Sequence, residues 1–458
     1  MKDIILDFLG KSIKEIEEIA QKVFEGQEDI SKLTEGIKEK TDEMGRKIFV
    51  ELIEGFDEAI RKDTKRKKTW EIVRKDIKTL ITKLGEIKYQ RTYFKSKLGK
   101  GYKYLADGIV GIEVHQRKDA GIEADLIDLA AEISYRKSGE KAGDIELSGQ
   151  TVMNSIRKVE EIEEVRIADK KKEVETLYIE ADEDHVALQE GKVAMPKLVY
   201  IHEGRKMQGK RAGLKNVYYY ADAKKKPEDI WNEVREYIEN NYEIKSIRRI
   251  YVSGDGADWI KKGAEYFENA RFVLDRYHMN KYVLGATGHD KQYRSKLWEA
   301  LNITDKGRVK EILDDLEKTA VRATDIKQVK DAKKYFLNNW EGIEIQALEE
   351  AEVIGCSAEG HISHILSARL SSRPSGWSRH GLDQMAKLRA FKANGGNVYD
   401  LVLRQKKEEK IYELGKSAAR QMRKVFKEKV RETFNNIAVI NYGKVTPIYR
   451  ALKSLQYT

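Results

Sequence analysis

The chain has little cysteine, little proline and no long apolar run, and each absence excludes a class of protein. The single cysteine, Cys356, can form neither an intrachain disulfide nor a thiolate zinc cluster, so nothing requires an oxidising compartment. No segment approaches the ~18 consecutive apolar residues of a membrane span. The N-terminus mixes acids and bases through its apolar positions, unlike a signal peptide. These features predict a cytoplasmic protein with no membrane partner.

Charge is abundant but unevenly placed. Charged residues make up 36% of the chain, and the net charge is +10. The last 98 residues carry +13, whereas the first 360 sum to about −3. Such asymmetry is typical of a face that binds a polyanion, although a solvated basic helix gives the same count. We therefore expect residues 401–458 to form a basic helical segment that either follows a DNA backbone or packs as an amphipathic helix.

The first 121 residues predict a mainly helical region. Apolar residues recur at helical spacing from the N-terminus to about residue 80, for example at Phe49, Leu52, Ile53 and Phe56. Residues 87–93 alternate with period two and predict a short β-hairpin before the glycine-rich turn near Gly99.

Residues 122–172 predict a helix-turn-helix domain. Two helices are expected over 122–134 and 135–142, and Ser148 is a plausible N-cap for a third. Val152, Ile156 and Val159 fall on one face of that third helix. The side chains that it would offer to bases and phosphates are Gln150, Asn154, Arg157 and Lys158. Any three-helix packing unit gives much the same pattern, so DNA binding is a hypothesis here.

From about residue 173 the pattern changes from helical to β. Elements in the order β-β-β-α-β-α-β follow through residue 287, with Pro227 opening the first helix. This is the order of the RNase H fold. The sequence therefore predicts an α/β RNase H-like catalytic domain over residues 173–287.

Acidic residues stand where the chemistry of such a fold needs them. Asp182 lies within the first strand and Asp255 ends the fourth, so adjacent central strands would bring their carboxylates together. Two like charges at close range repel unless cations neutralise them. Hard oxygen ligands suit Mg²⁺ or Mn²⁺, and two such ions can support phosphodiester chemistry. Glu359 is the best later candidate for a third ligand, although an aspartate at a strand end often only caps a helix.

Four segments carry a resemblance to a known family. YIEAD, SGDGADWIKKG, DRYHMNKY and SAEGHISHILSARLSSRPSGWS resemble the ISLre-two family of bacterial insertion-sequence transposases, within the Mutator-like DDE group. The likeness extends to at least Arg389. It implies that Asp182, Asp255 and Glu359 are the catalytic, metal-binding carboxylates.

The resemblance also bears on residues near these acids. The run from Asp275 to His278 is similar to the Asp-x-x-His signature of related transposases, which implies a catalytic role for His278 and an auxiliary one for Asp275. His278 could equally be a hydrogen-bonded residue at a helix start. Asp184 shares a strand face with Asp182, so it is an auxiliary or competing ligand.

The long spacing between Asp255 and Glu359 predicts an inserted domain. Residues 288–352 read as helix throughout, as in the all-helical insertion of related transposases, and residues 353–400 would complete the core with the helix of Glu359. The resemblance suggests Trp298 or Trp340 for stacking on a DNA base, although such a tryptophan more often belongs to a core. Arg369, Arg373 and Arg379, around the stiff Pro374, suit phosphate contact.

These features predict a DDE transposase that binds terminal inverted repeats and catalyses DNA cleavage and strand transfer. Its expected partners are double-stranded DNA and further copies of itself, with two Mg²⁺ or Mn²⁺ ions and no nucleotide cofactor. The alternatives are an RNase H-like nuclease or resolvase without strand transfer, and a domesticated transposase that only binds DNA. A zinc hydrolase using His278, His361 and His364 is disfavoured, because no HExxH or matching spacing occurs.

Overall fold

A computed structural model describes residues 8–405 except 144, 161, 163–167, 209–210 and 374–375. Within this part the chain forms two compact units. The first contains residues 8–130, 134–152 and 402–405, and the second contains residues 131–133 and 153–401. The predicted basic segment 401–458 therefore lies almost wholly outside the described residues.

The first unit combines helices with a small sheet. A π-helical turn over Phe8–Ser12 opens it. Its helices are α1 (Ile13–Phe24), α2 (Ile30–Lys62), α3 (Thr64–Thr69), α4 (Leu105–Ile109), α5 (Ala120–Ala130) and α6 (Tyr135–Lys141). Its strands, in the sheet order β1-β2-β3, are β1 (Trp70–Thr82), β2 (Gly85–Ser96) and β3 (Tyr102–Tyr104).

The hairpin is longer than predicted, and the helical prediction for residues 70–80 is wrong. β1 pairs with β2 in antiparallel register from Trp70 opposite Ser96 to Thr82 opposite Gly85. Aromatic and β-branched residues such as Trp70, Ile72 and Val73 favour a strand, but the charges between them obscure the period in the sequence. Gly85 closes the turn at φ +98°, a conformation that other residues rarely adopt.

The long helix α2 packs across the hairpin and holds it. Ile53 joins Leu80, Ile87 and Tyr89 in one buried cluster. One to two turns further on, Ile60 packs with Trp70, Phe94 and Leu105 in a second cluster. Between them the buried Asp57 carboxylate accepts hydrogen bonds from the backbone N–H of Thr92, at 2.9 Å, and from its hydroxyl.

Three helices occupy the segment predicted as a helix-turn-helix. They are α5, α6 and α7 (Gly149–Arg157). The Ser148 hydroxyl accepts a hydrogen bond from the Thr151 N–H at 3.2 Å, which confirms the predicted cap. Val152, Ile156 and Val159 are buried, as their spacing predicted. The connection 131–134 has the length of the motif's turn, whereas 142–148 is longer, and recognition of DNA by these helices remains a prediction.

The second unit is built on a five-stranded mixed sheet. Its main strands, in the sheet order β10-β7-β4-β11-β12, are β4 (Thr176–Glu183), β7 (Lys197–His202), β10 (Tyr218–Asp222), β11 (Arg249–Gly254) and β12 (Ala270–Leu274). The first three pair antiparallel, whereas β11 runs parallel to both β4 and β12. Two small two-stranded sheets lie between these strands in the sequence: β5 (Val186–Ala187) with β6 (Val193–Ala194), and β8 (Arg205–Gln208) with β9 (Arg211–Leu214).

Helices of the second unit follow the predicted order of elements. They are α8 (Pro227–Asn241), α9 (Asp258–Lys261), α10 (Arg276–Ala286), α11 (Tyr293–Asn302), α12 (Lys306–Thr319), α13 (Ala323–Asn338), α14 (Trp340–Leu348), α15 (Ala358–Ile362), α16 (Ala368–Leu370), α17 (Arg379–Ala393) and α18 (Val398–Arg404), of which residues 402–404 are counted with the first unit. Single 3₁₀ turns occur at Ile244–Ser246 and Lys262–Tyr266, and Ser363–Ser367 is π-helical. The five main strands and the helices α8 to α10 thus occur in the predicted order, while the name of the fold stays a prediction.

The two faces of β4 differ in chemistry. Leu177, Ile179 and Ala181 point into the main apolar core of the unit. Glu180 and Asp182 alternate with them and lie on the opposite face. Polar residues at buried positions of a central strand need hydrogen-bonding partners. Partners for Glu180 and Asp182 must therefore come from the residues that cover this face.

The segment 288–352 contains only helices, as predicted, but it does not form a separate core. Leu313, Val329, Phe336 and Ile343 belong to the same apolar cluster as the sheet. Residues 173–287, 288–352 and 353–400 accordingly lie together in the second unit.

Candidate active site

Three aspartates stand at the same level on three neighbouring parallel strands. Ser253 of β11 is opposite Glu180 of β4, so continuing that register by two residues places Asp255 opposite Asp182. Gly254 is opposite Leu274 of β12, so the next step places Asp255 opposite Asp275. Neighbouring strands lie about 4.8 Å apart. The register therefore places the three carboxyl groups near one another at the carboxyl ends of these strands.

Asp182 occupies an environment that opposes its ionisation. Its side chain is 8% exposed. Burial, together with the negative charges of Asp255 and Glu359, raises the pKa of Asp182 to about 6, against the opposing effects of the Glu183 N–H and of His278. Asp255 and Glu359 therefore lie close enough to Asp182 to affect its ionisation.

The turn after β11 fixes Asp255. Its carboxylate accepts a hydrogen bond from the Ala257 N–H at 2.9 Å, and its carbonyl accepts one from the Tyr335 hydroxyl at 2.8 Å. Gly256 has φ +94°, and a Cβ there would come 2.6 Å from Oδ1 of the buried Asn339. Because Tyr335 and Asn339 lie at the end of the helical insertion, that insertion helps to position the strand end.

Asp275 and His278 form a pair beside these carboxylates. Asp275 caps α10 by accepting from the Tyr277 N–H at 3.0 Å, and its second oxygen lies 2.9 Å from Nδ1 of His278. The hydrogen bond that Asp275 accepts from His278 raises the pKa of His278 against the opposing effect of burial, and the charges of Asp182 and Asp255 also raise it. His278 is thus a helix-start residue whose ring is hydrogen-bonded to Asp275 beside the other carboxylates.

Glu359 enters the site from the first turn of α15. Its side chain is exposed. The N-cap of this helix, Ser357, donates both its N–H and its hydroxyl to the Glu180 carboxylate, at 2.5 and 3.1 Å. Glu180 lies two residues before Asp182 on the same face of β4. The helix that carries Glu359 is therefore bound directly to the strand that carries Asp182.

Glu180 is the centre of a buried polar network that the sequence prediction missed. His202 Nε2 lies 3.0 Å from its Oε1, and the Tyr200 hydroxyl donates to its Oε2. Burial would raise the pKa of Glu180, but the hydrogen bonds from His202, Tyr200 and Ser357 lower it below its usual value. A second acid alternating with Asp182 in an apolar strand was the signal that could have revealed it.

Asp184, the proposed auxiliary ligand, has another role. It lies beyond the end of β4, and its oxygens accept hydrogen bonds from the Ser371 hydroxyl at 3.0 and 2.8 Å. It also accepts from the His185 N–H at 2.8 Å. Asp184 thereby holds the segment after the Glu359 helix, and its part as an auxiliary or competing ligand stays a prediction.

The donor set suits a hard divalent cation. Among the described residues, no three His, Cys, Asp or Glu side chains already stand in metal-binding geometry. The three carboxylates nonetheless interact electrostatically, and in this part of the chain no lysine or arginine forms an ion pair with Asp182, Asp255 or Glu359. Carboxylate oxygens are the ligands that Mg²⁺ and Mn²⁺ prefer, so these residues could hold such an ion.

The histidines do not assemble a zinc site. His361 Nδ1 lies 2.8 Å from the Tyr219 hydroxyl, and its ring packs 4.4 Å from that of Tyr200. Burial lowers the pKa of His361. His278 is instead paired with Asp275, so the two rings serve different networks.

The residues predicted to contact DNA fall into two groups. Gln150, Asn154, Arg157 and Lys158 are all exposed on or next to α7, as a recognition helix would require. In the second group Arg373 is exposed, Arg379 pairs with Glu190, and Arg369 is half-buried over the Trp377 ring at 4.8 Å. Pro374 lies outside the described residues.

The tryptophan predictions require a correction. Trp340 is 5% exposed, lies in the main core and donates from Nε1 to Glu344 at 2.6 Å. It cannot stack on a base, because packing of the insertion against the sheet encloses its ring. Trp298 is half-buried against the same core with Arg276 over its ring at 5.4 Å, so part of its surface is already used.

Comparison with known proteins places the chain in a family. Residues 25–409 match the Uncharacterised protein family (UPF0236). The chain belongs to the UPF0236 family. A UPF0236 protein of Caldanaerobacter subterraneus subsp. tengcongensis is 49% identical over 458 residues, covering 100% of this chain and 98% of the relative. A second from the same organism is 51% identical over 431 residues, covering 94% and 93%. A UPF0236 protein of Streptococcus gallolyticus is 25% identical over 340 residues, covering 71% and 75%.

The described part of this UPF0236 chain contains no helix with both the length and the apolarity needed to cross a bilayer.

Proposed function

We propose that this UPF0236 protein is a DDE transposase: it binds the ends of a DNA element and catalyses metal-dependent cleavage and strand transfer. The observation that carries the proposal is the register of Asp182 and Asp255 on adjacent parallel strands, with Glu359 close enough to raise the pKa of Asp182. An RNase H-like core uses such a set of carboxylates. The mixed sheet with its helical insertion supports the same assignment.

Asp182, Asp255 and Glu359 would hold two Mg²⁺ or Mn²⁺ ions. When bound, such ions activate an attacking oxygen and stabilise the leaving 3′ oxygen of a phosphodiester. Burial and the neighbouring acids raise the pKa of Asp182, and a bound cation would oppose both effects by favouring the ionised carboxylate. Neither a serine nor a tyrosine nucleophile is required.

His278 would contact the phosphate. The hydrogen bond with Asp275 occupies Nδ1 and raises the pKa of His278, so Nε2 would be the nitrogen that donates to a phosphate oxygen. This arrangement suits a phosphate oxygen on which negative charge develops during the reaction. Two DNA ends must react together, so we expect a dimer or a larger assembly on double-stranded DNA.

One relative supports a mobile element independently of the site. A Caldanaerobacter protein that is 48% identical over 458 residues carries a name combining eleven locus designations of that one organism. A protein encoded at many loci of one genome is expected when its own gene is copied.

The test is cleavage and joining on a labelled duplex that carries the ends of the DNA segment encoding this chain, with Mg²⁺ or Mn²⁺. We expect Glu359→Gln to abolish nicking and joining while DNA binding persists. The matched control is Glu350→Gln, at an exposed glutamate outside the site, and it should keep wild-type activity.

The outcomes separate the alternatives. Metal-dependent nicking without joining would indicate an RNase H-like nuclease or resolvase. Binding without any chemistry in the wild type would indicate a domesticated transposase that acts only as a DNA-binding protein. Equal activity in Glu359→Gln and the wild type would exclude the proposed site.

A further inference from the structure

A second candidate surface for DNA lies in the first unit, on the sheet that the catalytic proposal does not use. At the end next to the turn between β2 and β3, one face of this sheet carries tyrosines and basic residues. We call it the tyrosine face, and its residues are Arg74, Arg91, Tyr93, Lys95, Tyr102 and Tyr104. Cross-strand pairing places them together, since Tyr93 is opposite both Arg74 and Tyr104, and Lys95 is opposite Tyr102.

The aromatic rings and the cationic groups of the tyrosine face contact one another. Tyr93 stacks on Tyr102 with centroids 5.5 Å apart and lies 4.7 Å from Tyr104. The guanidinium of Arg74 sits 4.5 Å from the Tyr93 ring, and Nζ of Lys95 is 5.9 Å from the Tyr102 ring. Tyr102 is 50% exposed, so the face combines a rigid aromatic surface with cations that reach solvent.

The turn between β2 and β3 continues this surface and is strongly basic. Residues 92–104 contain four lysines and no acidic residue. Gly99 and Gly101 adopt φ +74° and +77°, and the Ser96 N–H donates to the Gly101 carbonyl at 2.8 Å. The backbone of the turn is therefore fixed, so its lysines are presented from a defined scaffold.

Acidic residues pair with cations of the tyrosine face but leave the lysines of its turn in excess. Between residues 70 and 104 there are ten lysines and arginines against three acids. Asp76 is bound to Arg74 and Tyr104, and Glu86 pairs with Lys88 at the far end of the hairpin. Arg91 is buried and pairs with Asp107, and Glu71 is opposite Lys95. The excess positive charge therefore lies in the lysines of the adjoining turn, residues 97–103.

We propose that the tyrosine face and the lysines of its turn bind the sugar–phosphate backbone of duplex DNA without regard to sequence. Exposed lysines and arginines neutralise phosphates, and tyrosine hydroxyls donate to phosphate oxygens. An antiparallel ribbon can lie along a DNA groove, which favours a duplex as the occupant. The proposal rests on the proposed function in one respect, the choice of DNA as the polyanion, and it needs neither metal nor catalysis.

The experiment measures DNA binding under conditions in which no cleavage is expected. Full-length Glu359→Gln protein in chelator is titrated against a labelled duplex of arbitrary sequence at several salt concentrations. Adding Lys95→Glu with Lys100→Glu should raise the Kd at least tenfold and reduce the slope of log K against log salt by about 2, one for each lost phosphate contact. The control pair Lys310→Glu with Lys327→Glu changes the same charge at exposed lysines of the insertion and should leave slope and Kd near the parent values.

Two further measurements keep the test decisive. The double variant Lys95→Gln with Lys100→Gln should also raise the Kd, but by less than the glutamate variant. An unchanged melting temperature would show that both double variants fold. Parent-like Kd and slope in the tyrosine-face variants would overturn the proposal, as would a loss seen only with single-stranded DNA of the same length. Because no cleavage is read, a failure of the catalytic proposal leaves this result interpretable.

Discussion

Asp255 follows the strand next to that of Asp182, and extending their parallel register by two residues places it opposite Asp182, whose pKa burial and its acidic neighbours raise to about 6. Glu359 reaches the same place from a helix whose N-cap is hydrogen-bonded to Glu180. The site is therefore built from two strand ends and one helix start, each held by separate contacts.

Divalent cations should stabilise the protein through this site. We expect Mn²⁺ or Mg²⁺ to raise the melting temperature of the wild type by several degrees, because a ligand that binds only the folded state shifts the unfolding equilibrium. Asp182→Asn should remove most of this shift and should itself melt no lower than the metal-free wild type, since it removes a repelling charge. Differential scanning fluorimetry with and without metal measures both, and an equal shift in Asp182→Asn would contradict the assignment.

Glu180 should be more important for stability than its position outside the proposed ligand set suggests. Glu180→Leu leaves the Tyr200 hydroxyl, the His202 ring and the Ser357 N–H without their acceptor, which should cost about 2–5 kcal/mol in the free energy of unfolding. Glu180→Gln keeps an acceptor and should cost less. Urea denaturation measures the loss, with Glu173→Gln, an exposed substitution, as the control. Equal stability of Glu180→Leu and the control would show that the network contributes nothing.

Gly256 should not tolerate alanine. Its φ of +94° is unfavourable for any side chain, and a Cβ would collide with the Asn339 side chain. We expect Gly256→Ala to destabilise the protein by about 1–3 kcal/mol and to lose metal-dependent nicking as Asp255 shifts. Gly285→Ala is the matched control, because that glycine lies in a helix with open space around it and alanine there should be neutral or slightly stabilising. Similar behaviour of the two variants would exclude strain at Gly256.

The buried Asp57 should give the first unit a measurable pH dependence. Burial raises the pKa of this carboxyl against the opposing hydrogen bonds from Thr92. A raised folded-state pKa means that the folded protein binds a proton more readily than the unfolded chain. Its contribution is therefore most favourable below about pH 4 and is lost as the pH rises through the folded-state pKa. The melting temperature of Asp57→Asn should rise relative to the wild type over that window, whereas a constant difference from pH 4 to pH 7 would refute the assignment.

The exposed residues of α7 should separate sequence recognition from backbone contact. If this helix reads DNA, Asn154→Ala should weaken binding to an element-end duplex while leaving binding to an unrelated duplex nearly unchanged. Lys158→Ala should weaken both about equally and lower the salt dependence. Competition binding with the two duplexes measures the ratio. If Asn154→Ala weakened binding to both duplexes equally, sequence recognition by α7 would be contradicted.

Much of the second unit could be predicted because its sequence is locally consistent. Apolar runs ending in acids marked the strands that hold Asp182 and Asp255, and Pro227 marked a helix start that the structure has. The hairpin was harder, since charged residues at exposed positions of β1 imitate an amphipathic helix until pairing with β2 is known. Trp340 was ambiguous in sequence because an apolar ring suits both a core and a base.

The sequence by itself determined which residues are candidates for the chemistry and on which elements they lie: two strand-end aspartates, a later glutamate and a helical segment between the second aspartate and the glutamate. The tertiary structure decided how these residues are used. Register placed Asp182 opposite Asp255, and packing enclosed Trp340 and committed Asp184 to Ser371. It also joined Glu180 to the Glu359 helix. Such relations link residues up to 187 positions apart, and they depend on backbone pairing and close packing, which local sequence patterns do not contain.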